Sequence, residues 1–275
     1  MFKKNIRCIE FAQPAAVLFC VLFGQLSAMG CPARDLPNTD HSSMTQPPAS
    51  VGSDVPPETL QPSRFIQSDD PGIVAFAQAN IGNAMDPLGM ALNLYYAVRD
   101  QVIYDPYVKF GRPESYSARD ALAARRGFCI PKAAILSACA RAVGIPARLG
   151  FADVRNHIAT PKLLEANGGD IMYWHSFAEL YLDGRWVKCT PAFNLSLCEK
   201  FGIHPLEWDG RTDSVFHEFD VAGRQHLEYV NQRGSFTDVP LDKIFETFRA
   251  RCPRLMLDDL WEKGSDFAAE ASAVQ

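Results

Sequence analysis

The stretch Gly127-Phe128-Cys129-Ile130-Pro131-Lys132, with the run that follows it, leaves the chain little choice but a helix that opens on a cysteine. Residues 133–143 are strong helix formers with apolar side chains at i, i+3, i+4 spacing. Gly144 supplies the stop and Pro146 follows it. Gly127 allows a sharp turn, and Pro131 is tolerated in a first turn because its missing N–H has no intrahelical partner there. Cys129 is therefore expected where free backbone N–H groups and the positive helix end favour an anion. Such a place lowers a thiol pKa, and the same N–H groups can form part of an oxyanion hole. Cys139, further along, reads as an ordinary buried cysteine.

A thiol nucleophile needs a base, and the base needs an orienting group. Residues 173–188 read as two strands joined by Asp183-Gly184, a type I′ hairpin signal. Strict alternation puts His175, Phe177, Glu179 and Tyr181 on one face of the first strand. Trp174, Ser176, Ala178, Leu180 and Leu182 fall on the other. His175 is the candidate base, although a histidine on a half-buried strand can equally be a packed core residue.

Three segments in order carry a resemblance. They are Gly127-Phe128-Cys129, then Ala142-Val143-Gly144-Ile145-Pro146-Ala147-Arg148, then His175 through Val187. Together they resemble the transglutaminase-like superfamily, a branch of the papain-like cysteine enzymes, over about residues 90 to 195. From Phe65 to Pro240 the chain is similar to small bacterial proteins that carry this domain and little else. Gly150 through His157 and Thr190-Pro191-Ala192-Phe193-Asn194 are typical of that subgroup.

The resemblance implies Cys129 as nucleophile and His175 as its general base. The third member is usually an aspartate in a Trp-Val-x-x-Asp-Pro-Thr pattern. Here Trp186-Val187-Lys188-Cys189-Thr190-Pro191 puts Thr190 in its place. A hydroxyl can accept the imidazole N–H but brings no charge. Asn194 is the other candidate, since papain-type sites use an amide, with Asp153 and Glu179 behind it. The implied chemistry is attack on a carboxamide or peptide carbonyl and a thioester on Cys129. Water resolves the thioester in a protease or amidase, and an amine resolves it in a crosslinker. The implied partner is a protein or peptide substrate, with no cofactor and no metal. The alternative is a peptide- or cell-wall-binding module that kept the fold without the chemistry. A dithiol redox enzyme is disfavoured because the globular region has no Cys-x-x-Cys.

Composition bounds the rest. The chain has 275 residues, 47% of them hydrophobic, enough for one domain with a core plus tails. A net charge of −5 gives no hint of nucleic-acid binding. Arg119, Arg125, Arg126 and Lys132 read as a solvated helix face. Cys189, Cys198 and His204 have poor spacing for zinc. His157, after a strand end, is a rival base, whereas His217 and His226 read as surface or packing residues.

Residues 1–31 read as an export segment, with Lys3, Lys4 and Arg7 before an apolar run from Ala15 to Gly24. Cys31 after Ala28-Met29-Gly30 resembles a bacterial lipoprotein acylation site, so membrane contact is expected only through a lipid anchor at the cell envelope. A start at Met44 would instead leave the domain cytoplasmic. Residues 32–63 read as a Pro/Ser-rich disordered linker, 64–255 as the domain and 256–275 as a tail. Helices are predicted near 71–80, 87–100, from Ser117 to Arg126, at Cys129, at 161–166 and over Leu241–Arg251. Arg148–Val154 reads as a strand, residues 198–202 and 208–211 read as loops beyond the hairpin, and 198–240 is the region expected to meet the substrate. The sum is an α+β fold, with the nucleophile's helix packed on an antiparallel β-sheet, the papain-like/transglutaminase-like core that the resemblance implies.

Overall fold

Two Asp-Pro steps open the helical half. Helix α1 (Pro71–Asn80) is capped by Asp70, whose carboxylate accepts the N–H groups of Gly72 at 2.9 Å and Ile73 at 3.3 Å. Helix α2 (Pro87–Gln101) is capped in the same way by Asp86, which accepts the Gly89 N–H at 2.9 Å. The computed structural model describes residues 55–157, 159–215, 227–261 and 265–271. The export segment with Cys31 and Met44, and also His217 and His226, lie outside the described residues.

Strand β1 (Ile103–Tyr104) pairs in parallel with β2 (Arg126–Gly127), on either side of helix α3 (Ala118–Ala124). Ser117 Oγ caps α3 by accepting the Asp120 N–H. Helix α4 (Cys129–Ala142) follows at once. Its apolar pattern predicts one buried face, yet every residue from Ile130 to Arg141 is buried. Its many alanines let α1, α2, α3 and the sheet approach from all sides.

Two of its buried residues are basic. Lys132 donates to the carbonyls of Arg99 (2.9 Å) and Val102, at the end of α2. The expectation that it belongs to a solvated basic face is thereby corrected; burial pushes its pKa well below the usual lysine value. Arg119, Arg125 and Arg126 are exposed, as expected of that face. Arg141 donates to the carbonyls of Ala147, Gln61 and Thr237. One guanidinium thus ties the N-terminal segment, the start of the central strand and the segment after the edge strand.

The sheet contains β3 (Ala147–Asn156), β4 (Ile171–Leu182), β5 (Arg185–Cys189) and β6 (Leu227–Phe236) in the order β5-β4-β3-β6, antiparallel throughout. Helix α5 (Pro161–Asn167) joins β3 to β4. The β4–β5 turn has φ of 49° at Asp183 and 82° at Gly184, as the Asp-Gly pair predicts. Gly150 faces Phe177 across the ladder, and a Cβ there would lie 2.0 Å from the Phe177 ring. The fold class is therefore as expected: mixed helix and strand, with α4 packed on an antiparallel sheet.

Three boundaries differ from the expectation. Of the two expected loops, 208–211 is one, whereas 198–201 end helix α6 (Leu195–Phe201), and β6 is a further strand that completes the sheet. β6 is a largely exposed edge strand, so it lacks the apolar alternation that would announce it. The packed chain begins by Val55, inside the expected linker, and Thr59 is fully buried. The C-terminal residues also pack. After helix α7 (Leu241–Arg251), Trp261 stacks on Tyr107 at 4.3 Å. In helix α8 (Phe267–Ala271), Phe267 is buried against Tyr104 and Tyr107. Among the described residues no helix is long and apolar enough to cross a membrane.

Candidate active site

Cys129 is the first residue of α4, half-buried at the wall of a cavity of about 70 Å³. A water needs roughly 10–15 Å³ of such space, so the cavity admits a few waters or one slender side chain. Its walls are mostly apolar, with Phe110, Phe128, Trp174, Phe193, Phe248 and Leu255 among them. The backbone N–H groups of Ser176, Ile130 and Cys129 itself favour the thiolate. Burial outweighs them and holds the thiol up at about 11. The lowered thiol pKa expected from a helix start is therefore not realised, because the apolar walls remove the water that would solvate the charge.

His175, on β4, lines the same cavity as Cys129. Burial pushes its imidazole down to about 4. Its Nε2 is buried and has no hydrogen-bond partner among the described residues. At neutral pH the pair therefore rests as neutral thiol and neutral imidazole.

Thr190 and Asn194 spend their polar groups elsewhere. The Thr190 hydroxyl donates to the Val215 carbonyl, and its own carbonyl accepts the Tyr95 hydroxyl at 3.3 Å. Asn194 Oδ1 accepts the Tyr104 N–H at 3.0 Å, and Nδ2 donates to Ser196 Oγ at 2.7 Å. Neither bonds the His175 ring, which corrects the orienting role expected of one or the other. Asn194 instead fixes β1, whose Tyr104 lines the cavity. Glu179 is occupied by Arg148 and by Ser235 Oγ. His157 lies 3.5 Å from Glu228 and is not among the residues lining the cavity. Among the described residues no three His, Cys, Asp or Glu side chains gather to hold a metal.

The feature that sequence reasoning missed is the shape of β4. Met172, Tyr173, Trp174 and His175 all line the cavity, although successive residues of a regular strand face opposite ways. Across the ladder, Ala152 pairs with His175 but Val154 pairs with Met172, so two residues of β4 oppose Asp153 alone. This is a β-bulge, with Trp174 at a φ of 60° in the left-handed region. The sequence has no glycine there to signal it. The alternation expected for residues 174–182 thus fails where the cavity is built.

The neutral imidazole carries a consequence for stability. The unfolded chain accepts a proton on a histidine near pH 6.5, whereas folded His175 resists it until about 4. Stability is then complete above pH 6.5 and falls as the pH drops toward 4, by about 3 kcal/mol at most. Urea unfolding of the wild type and His175→Phe at pH 7 and pH 4.5 tests this, and the variant should show the smaller loss.

Comparison with known proteins adds one assignment. Residues 74–191 match the model of the family described as the transglutaminase-like superfamily. The match runs from α1 to just past β5 and includes α4, β3 and β4. Among solved structures, a "putative cysteine protease" from Cytophaga hutchinsonii is 21% identical with a TM-score of 0.40, over 68% of this chain and 55% of that one. The match thus spans about half the length of that protein. Comparison with curated proteins gives no match.

Proposed function

We propose that this chain, which belongs to the transglutaminase-like superfamily through residues 74–191, performs cysteine-dependent acyl transfer on a carboxamide or peptide bond. The observation that carries the reading is the shared apolar cavity of Cys129 and His175. The Cys129 sulfur attacks the carbonyl carbon while its proton passes to His175. As the C–N bond breaks, His175 returns that proton to the leaving ammonia or amine, and a thioester remains on Cys129. Water or a second amine then attacks the thioester and gives its proton to His175. The acid or new amide leaves, and the proton returns to the thiol. Because the resting pair is neutral, the proton must move as the C–S bond forms. Backbone N–H groups beside the sulfur, those of Cys129 and Ser176, are in reach to stabilise developing negative charge. Apolar walls that hold few waters favour an amine as acceptor.

A second reading has its own support. The neutral pair, the unpartnered Nε2 and a threonine at the aspartate position favour a module that binds peptides or cell-wall peptides without turnover. The test is intact-mass analysis after incubation with a mixture of glutamine-containing peptides, with and without a short alkyl diamine. A hydroxylamine-sensitive acyl adduct on Cys129, reduced in His175→Ala, is the expected result. Bound peptide with no adduct and no product would overturn the enzyme reading in favour of the module.

A further inference from the structure

We propose that Asp153 is the positioning residue of this site, aiming His175 at Cys129 through the backbone of Trp174. A bulge leaves at least one backbone N–H without its ladder partner, and a tryptophan has no intrinsic preference for the left-handed region. Something must therefore hold Trp174 there. The Asp153 carboxylate is buried between the two neighbouring strands, and its Oδ1 accepts the Trp174 N–H at 3.1 Å. On its other side the same Oδ1 accepts Arg233 Nε at 2.6 Å, and Oδ2 accepts Asn231 Nδ2 at 3.3 Å. The Arg233 guanidinium lies over the Trp174 ring at 4.5 Å, and Trp174 Nε1 donates to Thr247 Oγ1 at 2.9 Å.

The registers on both sides of Asp153 are irregular. β4 inserts a residue opposite it, and the β3–β6 pairing shifts between Phe151 and Ala152 and again between Asp153 and Val154. One carboxylate thus sits where two strands depart from regular pairing, and it bonds to both. Its consequence is felt one residue along: the bulge returns His175 to the cavity and the Ser176 N–H to the Cys129 sulfur. Among the described residues no group bonds the imidazole at Nε2, so its backbone and its packing aim the ring, and Asp153 fixes the first of these. The kinetic arm of the test rests on the acyl-transfer reading, whereas the spectroscopic arm does not.

The test compares Asp153→Asn, Asp153→Ala and Arg233→Met in the full chain. Asparagine keeps an oxygen for the Trp174 N–H, alanine removes it, and Arg233→Met leaves that bond intact while removing the charged partner of the carboxylate. The spectroscopic readout is the titration of ¹³C-labelled His175 by NMR. No carboxylate, ammonium or guanidinium lines the cavity among the described residues, so the titration reports the ring's burial. Wild type, Asp153→Asn and Arg233→Met should titrate near 4, and Asp153→Ala should move toward about 6.5. In turnover, Asp153→Ala should lose about 10²-fold in kcat with KM changed by less than about twofold. Asp153→Asn should recover most of that loss. If Asp153→Ala does not fold, Asp153→Val, a better strand former, replaces it. Loss of the low titration in Asp153→Asn or Arg233→Met, or its retention in the folded alanine or valine variant, would overturn the proposal. Absence of turnover in the wild type would count against the acyl-transfer reading and leave the titration result to stand alone.

Discussion

Cys129→Ala should reduce acyl transfer at least about 10⁴-fold while leaving the fold in place. The size follows from what the sulfur does: without it no thioester forms, and the apolar cavity cannot hand the carbonyl to another nucleophile. The fold should tolerate the change because alanine is the best helix former and Cys129 is the half-buried first residue of its helix. The checks are turnover of the glutamine-peptide mixture, intact mass and a thermal melt. A variant that keeps more than about one per cent of the wild-type rate would remove Cys129 from the chemistry. Ligand retention by the same variant is expected on both readings of the site, so it is the rate that separates them.

Arg141→Met should destabilise the protein by about 3–5 kcal/mol, a large part of the total stability of a typical domain. The carbonyls of Gln61, Ala147 and Thr237 come from three distant segments, and all accept from this one guanidinium. A methionine of similar length fills the space but leaves three acceptors without this donor. Burial already lowers the Arg141 pKa to about 10, which reflects how little water reaches the group. Arg141→Lys should recover only part of the loss, since an ammonium lacks the planar fork that spans separated acceptors. The measurement is the urea midpoint at constant slope. A shift under about 1 kcal/mol for the methionine variant would mean that solvent or neighbouring donors replace the bonds.

Much of the fold was legible because its signals are local. Asp70-Pro71 and Asp86-Pro87 start helices through a side-chain cap and a pre-set φ, and both helices begin where those residues stand. Asp183-Gly184 closes its hairpin because both residues accept positive φ. β6 is not legible in the sequence, because it is polar and exposed at a sheet edge and its pairing with β3 gives no periodicity to read. The packed segment from Val55 is hidden for a related reason: its Pro-rich composition reads as linker, whereas burial of Val55 and Thr59 and the Arg141 bond to the Gln61 carbonyl tie it to the domain.

The site divides along the same line. The order of its segments in the sequence placed Cys129 at a helix start and His175 on the facing strand, because a helix cap and a hairpin are written in adjacent residues. The electrostatics of the pair could not be read in that way. Thiol and imidazole are both pushed toward neutrality by apolar side chains drawn from distant parts of the chain, Phe110 and Leu255 among them. The partners of Thr190 and Asn194 are likewise set by loops and strands elsewhere in the domain. The bulge at Trp174 depends on a carboxylate 21 residues away in sequence. Local sequence thus determined most of the helices, the hairpin and where Cys129 and His175 stand on them. Tertiary structure alone decided how they meet, because solvation and strand register are properties of the neighbours that packing supplies.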